Sequence, residues 1–313
     1  MKQSHHLRII FMGTPEFAVP SLDALYKAGY NIVGVITAPD KPAGRGMKLS
    51  ESAVKKYALE KKIRILQPEK LKDPHFIKEL QSLKADVQVV VAFRMLPELV
   101  WNMPPLGTIN LHGSLLPQYR GAAPINWAII NGENETGVTT FKLQHEIDTG
   151  NILSQQKMKI AEDETAGTLH DKMMNIGADL LLKTINQLEK GTLKEVPQNS
   201  SVTIHHSPPL HAPKIFTETC EIHWNKDVNE IYNLIRGLSP YPAAFTFLKG
   251  KKLKIFSAEK ELTKVEEKPG HVLTDHKTYL KFAAKDGFIS VKDVQLEGKK
   301  RMAIEDFLRG WRE

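Results

Sequence analysis

Asn110 and His112 stand one residue apart at the end of an apolar, strand-like run, Gly107 to Leu111. The two-residue side-chain period of a strand turns both to the same face. A carboxylate, Asp148, follows a further β-rich segment and reaches the imidazole if the two strands lie side by side. Together they supply the groups that acyl transfer needs: an amide that donates to a developing oxyanion, an imidazole that manages a proton, and a charge that orients it. Each residue alone has a plainer reading, as a satisfied buried amide, a core histidine or a turn aspartate. Their shared rim, beside Ser114-Leu115-Leu116-Pro117, favours chemistry over structure.

Other chemistries fit less well. No second histidine or cysteine lies at ligand spacing from His112, so a zinc site is not expected. Ser114 lacks the second glycine of a nucleophile elbow. Gly13-Thr14-Pro15 follows the first strand where a dinucleotide fold carries its glycine fingerprint, but it holds one glycine, and Pro15 removes an N–H that a pyrophosphate would use. A tight strand-to-helix turn accounts for it.

The elements that must position the trio read as a β-α-β alternation. Strands are expected at Leu7 to Met12, Ile32 to Thr37, Arg64 to Leu66, Val87 to Ala92 and Gly107 to Leu111. Helices are expected at Ser21 to Ala28, from a Ser50 cap to Lys62, from Asp73-Pro74 to Leu83, and at Pro97 to Trp101. The rhythm predicts a doubly wound, mostly parallel sheet with its site beyond the carboxyl ends of the strands. From Thr136 the pattern changes to two strands, Thr136 to Gln144 and Ile152 to Ile160, expected antiparallel, and a long helix from Thr165 to Lys190. Pro197 to Pro213, rich in Ser, His and Pro, reads as a linker. Beyond it, a helix at Val228 to Ile235 precedes five short strands with frequent turns, which predict a small β-barrel, and Met302 to Trp311 reads as a terminal helix.

Length and composition fit a globular protein of about two domains. No apolar run approaches the roughly 20 residues that span a bilayer, and the polar start leads into a strand without a secretory core. The single cysteine, Cys220, excludes an intramolecular disulfide and fits a reducing cytosol. The net charge of +7 hints mildly at an anionic partner. Residues 206–313 carry 19 basic and 15 acidic side chains against 24 and 21 in residues 1–205, so the shorter part is the more basic. The loop Thr37 to Leu49 is longer than ordinary strand-to-helix loops and holds Lys41, Arg45 and Lys48 among glycines and prolines. It reads either as a solvated loop or as an arm that reaches a nucleic acid with Arg45 at its tip.

Asn110-Leu111-His112-Gly113-Ser114-Leu115-Leu116-Pro117 with Asp148 resembles the core motif of the 10-formyltetrahydrofolate-dependent formyltransferase family. Gly13 to Ala18, Pro39 to Gly46, Arg120 to Ile125, Ala161 to Leu169, Ala212 to Ile215 and Glu221 to Trp224 extend the likeness over nearly the whole chain, toward members that act on methionyl-tRNA. The resemblance implies an α/β fold, with a Rossmann-like formyltransferase catalytic domain at residues 1–196, a linker at 197–213 and a smaller OB-like, tRNA-binding β-barrel domain at 214–313. It implies formyl transfer from 10-formyltetrahydrofolate to the α-amino group of methionine on initiator methionyl-tRNA, without a metal, by a cytoplasmic monomer. By motif position Asn110, His112 and Asp148 inherit the catalytic roles, Ser114, Leu115, Leu116 and Pro117 the folate site, and Arg45 the loop that enters the tRNA acceptor end. The segment Ala92 to Pro97 departs from the family's tyrosine-glycine form, and Arg94 inherits no role. Three rivals stand beside this reading: a formyltransferase acting on an amino sugar nucleotide, a non-catalytic nucleic-acid-binding protein that works through the barrel, and an enzyme that hydrolyses the folate instead of transferring its formyl group.

Overall fold

The structure is a computed structural model that describes residues 5–43, 48–198 and 208–311. In chain order the strands of the first two thirds are β1 (Arg8–Gly13), β2 (Asn31–Ile36), β3 (Lys41–Ala43), β4 (Lys48–Ser50), β5 (Ile65–Leu66), β6 (Val87–Val91), β7 (Thr108–His112), β8 (Arg120–Gly121), β9 (Glu135–Lys142) and β10 (Ile152–Lys159). The helices among them are α1 (Val19–Ala28), α2 (Ala53–Glu60), α3 (Pro74–Ser82), α4 (Glu98–Trp101), α5 (Pro124–Ile130) and α6 (Ala166–Glu189). The remainder holds β11 (His211–Ala212), α7 (Val228–Leu238), β12 (Ala244–Leu248), β13 (Lys251–Leu262), β14 (Val272–Thr274), β15 (Leu280–Ala283), β16 (Gly287–Leu296), β17 (Met302–Ala303) and α8 (Ile304–Gly310).

Two compact units emerge. Met1–Arg120, Gly137–Met158 and Asp171–His211 make the first; Gly121–Thr136, Lys159–His170 and Ala212–Glu313 make the second. The first is built on a seven-stranded sheet in the order β10-β9-β7-β6-β1-β2-β5. Strands β7, β6, β1, β2 and β5 run parallel, and β9 runs antiparallel to β7, as the alternation and its later change predict. Side chains of both faces of β1 are buried: Ile9 and Phe11 on one, Ile10 and Met12 on the other. This is the pattern of a parallel strand covered on two sides. Ile10, Met12, Val90, Phe76, Leu80 and Val100 share one of the cores. Gly13 closes β1 where an added Cβ would lie 2.7 Å from Ala18 Cβ, so the turn into the first helix needs glycine for close approach.

The helix starts are local chemistry. Asp73 accepts from the N–H groups of His75 and Phe76 with Pro74 in the first turn of α3, as predicted. The cap of α2 is Ser52, whose Oγ accepts from Lys55 N, and not Ser50, which belongs to β4. The stem of the long basic loop is not irregular either: β3 and β4 pair antiparallel, Lys41 opposite Ser50 and Pro42 opposite Leu49.

The second unit carries an antiparallel sheet in the order β12-β13-β16-β15-β14, with β17 added to β16. Register shifts at Ile255, Ser257 and Ala258 bend the long β13–β16 pair, and the sheet curls as a half-barrel. Its core runs from Ile231, Ile235 and Leu238 of α7 through Leu253, Ile255 and Val291 to Ile304 and Phe307 of α8. Helix α5, absent from the expectations, packs here on α7: Asn126 Nδ2 donates to Gly237 O at 2.7 Å. The terminal helix starts two residues later than predicted, because Met302 and Ala303 pair with β16.

Candidate active site

Strand β7 delivers Asn110 and His112 to one face, as its period requires. Thr108, Ile109, Leu111 and His112 are buried, and Asn110 is half-buried. Asn110 makes no side-chain hydrogen bond among the described residues. His112 is 7 % exposed and stands edge-on to Phe141 of β9, with ring centroids 6.3 Å apart. The main chain of His112 lies opposite Thr139.

Asp148 comes from the loop after β9, and its Oδ2 lies 3.9 Å from His112 Nδ1. That separation gives an electrostatic pair and is too long for a hydrogen bond. The bond that orients the ring is on its other side, where His112 Nε2 lies 2.9 Å from Tyr119 O. A carbonyl only accepts, so Nε2 carries the hydrogen and Nδ1 of the neutral ring faces the Asp148 carboxylate. Protonation of Nδ1 therefore converts a lone pair facing an anion into a cation facing one.

Three non-glycine residues beside the site hold left-handed backbone: Ala92 after β6 (φ 47°), Tyr119 (φ 60°) and Asp148 (φ 55°). Such conformations cluster where a group must be aimed. Gly150 shows how tightly the Asp148 loop turns, since an added Cβ would fall 1.6 Å from Lys142 O.

The Ser114–Pro117 segment owes its shape to Thr139, which is fully buried. Thr139 Oγ1 donates to Ser114 O at 2.7 Å and accepts from Leu116 N at 3.1 Å and from Gln155 Nε2 at 3.0 Å. One donation and two acceptances exhaust a hydroxyl. Ser114 Oγ is a buried donor to Gln118 O at 2.6 Å, and Leu116 packs with Phe141 and Ile152. Leu115 Cδ2 lies against Gly137, where an added Cβ would come within 2.5 Å of it. The segment is therefore fixed in place, with Ser114 and Leu116 turned inward.

Arg94 has a structural place. Its guanidinium donates to Glu69 O at 2.8 Å and to Pro68 O, and stacks over Phe93, tying the segment after β6 to the loop before α3. Burial lowers its pKa. Arg45 lies outside the described residues. The stem that carries it is clamped by Lys55, which pairs with Asp40 and, at 3.0 Å, with Glu51; Gln67 Nε2 donates to Ala38 O at 2.8 Å and Asp40 at 2.9 Å. Sequence reasoning missed Tyr119, Thr139, Gln155, Gln198 and this clamp. All of them act through backbone groups or through contacts distant in sequence.

Among the described residues no group of three or more His, Cys, Asp or Glu gathers to hold a metal ion, and no helix is long and apolar enough to cross a membrane.

The family model for formyl transferase matches residues 7–185, and the model for the formyl transferase C-terminal domain matches residues 214–312. The chain belongs to the formyl transferase family. Relatives within the family include the methionyl-tRNA formyltransferase of Phocaeicola vulgatus, 58% identical over 312 residues that cover 98% of this chain and 96% of that protein. That of Bacteroides thetaiotaomicron is 54% identical over 311 residues, again 98% and 96% of the two chains. Among solved structures, an N-formyltransferase from Helicobacter canadensis in complex with folinic acid and dTDP-3-aminofucose superposes with a TM-score of 0.69 at 21% identity, over 95% of this chain and all of that one. At that identity the likeness speaks to the fold: a Rossmann-like α/β domain followed by the family's C-terminal domain.

Proposed function

We propose that the chain transfers the formyl group of 10-formyltetrahydrofolate to the α-amino group of methionine on initiator methionyl-tRNA. The observation that carries this reading is the His112–Asp148 pair beside Asn110, in a chain more than half identical over nearly its whole length to methionyl-tRNA formyltransferases. The amine attacks the formyl carbon, and the carbonyl π electrons move onto oxygen. The Asn110 amide donates to that oxyanion, an interaction typically worth about 100- to 1,000-fold in rate. His112, with its Nε2–H held by Tyr119 O, uses Nδ1 to take the amine proton, and Asp148 stabilises the resulting cation. Collapse of the adduct breaks the bond to N10 of the folate, and a proton goes to that nitrogen.

Ser114, Leu115, Leu116 and Pro117 form the folate wall in this reading, with residues 1–196 carrying the chemistry. Residues 214–313, the more basic part, bind the tRNA with Arg45. The work is that of a cytoplasmic monomer in translation initiation. A sugar nucleotide as acceptor gives no reason for the basic C-terminal part. The test incubates the purified chain with 10-formyltetrahydrofolate and, separately, charged initiator tRNA, free methionine and an amino sugar nucleotide. Formylation of the charged tRNA alone is expected; transfer to the sugar nucleotide in its place would sink the assignment.

A further inference from the structure

Gln198 lies fifty residues from Asp148 in sequence and is 5 % exposed. Its amide makes every hydrogen bond available to it. Nε2 donates to Asp148 O at 2.7 Å and to Gly150 O at 2.8 Å. Oε1 accepts from Arg120 Nε at 3.1 Å and Arg120 Nη2 at 2.6 Å. Carbonyls only accept and a guanidinium only donates, so the orientation of the amide is unambiguous. The residue before Arg120 is Tyr119, whose carbonyl holds His112 Nε2. One dipeptide, Tyr119-Arg120, thus grips the imidazole directly with its backbone and the carboxylate-bearing turn indirectly with its side chain.

We infer that Gln198, anchored by Arg120, is a positioning residue that sets the His112–Asp148 geometry for the transfer step. The inference rests on the reaction proposed above. The turn needs such a holder. Asp148 sits in left-handed backbone, Gly150 lies against Lys142 O, and within the loop Thr149 Oγ1 donates to Glu146 O at 3.1 Å. Gln198 grips the carbonyls on either side of Thr149 and so fixes where the Asp148 side chain leaves the backbone. Flanking contacts extend the same seam: Val196 pairs with Ile152, and Glu195 accepts from Asn151 Nδ2 at 3.0 Å and Lys142 Nζ at 3.1 Å. The Asn151 bond, and after it Lys142, hold the Glu195 carboxyl below its ordinary range. Those contacts fasten the segment, and Gln198 alone among them touches the Asp148 turn at both of these carbonyls.

A double-mutant cycle on the full chain tests this, with steady-state formylation of initiator methionyl-tRNA as readout. Gln198→Ala is expected to lower kcat about 10- to 100-fold, as a small misplacement of reacting groups does, with KM for either substrate little changed. Asp148→Ala combined with Gln198→Ala is expected to be no slower than Asp148→Ala alone, because a residue that acts through Asp148 has nothing left to position. Additive losses, or an unchanged kcat in Gln198→Ala, overturn the inference. If the alanine variant does not fold, Gln198→Glu keeps the size and the acceptors for Arg120 and replaces the two donors by a charged oxygen that repels the two carbonyls; the same loss and non-additivity are expected of it. Wild type and His112→Ala run alongside. Equal turnover by those two would fail the proposed reaction itself, whereas a dead His112→Ala with an additive cycle fails only the role of Gln198.

Discussion

The carbonyl of Tyr119 accepts a hydrogen bond from Nε2 of His112 at 2.9 Å, and the left-handed backbone of Tyr119 aims it there. The tautomer of the imidazole is therefore set by a main-chain group seven residues away, while Asp148, at 3.9 Å, acts on the opposite nitrogen through its charge. In the 15N spectrum of histidine-labelled protein near neutral pH, the neutral form of His112 should show a protonated Nε2 and a bare Nδ1. The opposite tautomer would contradict the proton path proposed for the transfer.

Asn110→Ala should lower kcat by about 100- to 1,000-fold with KM for the folate little changed, because the lost bond forms with charge present only in the transition state. Asn110→Asp should lose more than its shape change implies, since a carboxylate repels an oxyanion. Steady-state kinetics decide this, and near-normal turnover by the aspartate variant is the outcome incompatible with the role.

Thr139→Val should destabilise the chain by about 2 to 3 kcal/mol, because it leaves Ser114 O, Leu116 N and the Gln155 amide without their shared buried partner. Thr139→Ser keeps the hydroxyl and should recover most of that loss. Thermal and urea unfolding measure the pair, and equal stability of the two variants would show that the hydroxyl contributes no more than the methyl group.

Lys55→Met should weaken binding of charged tRNA roughly three- to fivefold and leave the folate KM alone. The Asp40 carboxyl is held below its ordinary value, chiefly by the bond from Lys55 and then by Gln67; the Lys55 ammonium is raised, chiefly by Asp40 and then by Glu51. A depressed carboxyl contributes stability that is present above 3.8 and lost as pH falls through its lowered value. A raised ammonium contributes stability that is present below 10.5 and lost as pH rises through its raised value. The difference between wild type and Lys55→Met should thus stay flat from about pH 5 to 9 in equilibrium unfolding.

Binding of tRNA should weaken steeply with salt, and Arg45→Ala should reduce the slope of log K against log salt by about one if the side chain meets a phosphate. An unchanged slope would remove Arg45 from the backbone contacts.

Much of this was legible in the residues. The parallel core followed from β-branched runs between amphipathic segments, and Asn110 and His112 followed from a strand period of two. Asp148 was visible as a carboxylate one β-segment away. What stayed hidden was everything that works through main-chain carbonyls or across long separations. Tyr119 reads as an apolar loop residue, and its useful atom is one that every residue has. Gln198 sits in a stretch whose Ser, His and Pro content reads as linker, although its amide is buried and fully bonded. Helix α5 was hidden because seven residues from Pro124 to Ile130 carry too little periodicity. Ser50 and Ser52 compete for one cap, and local sequence cannot say that β4 claims the first.

The membership of Gly121–Thr136 and Lys159–His170 in the second compact unit bears on how the chain is born. Those two stretches leave the ribosome long before Val228–Leu238 and the strands they pack with exist. Helix α5 must then wait, its apolar side exposed, until about a hundred further residues have been synthesised. A nascent chain halted at residue 196 holds the polar trio yet lacks the partners of α5, so it presents a sticky surface to chaperones and proteases. Completion of the C-terminal part is thereby made a condition for releasing a fully folded chain.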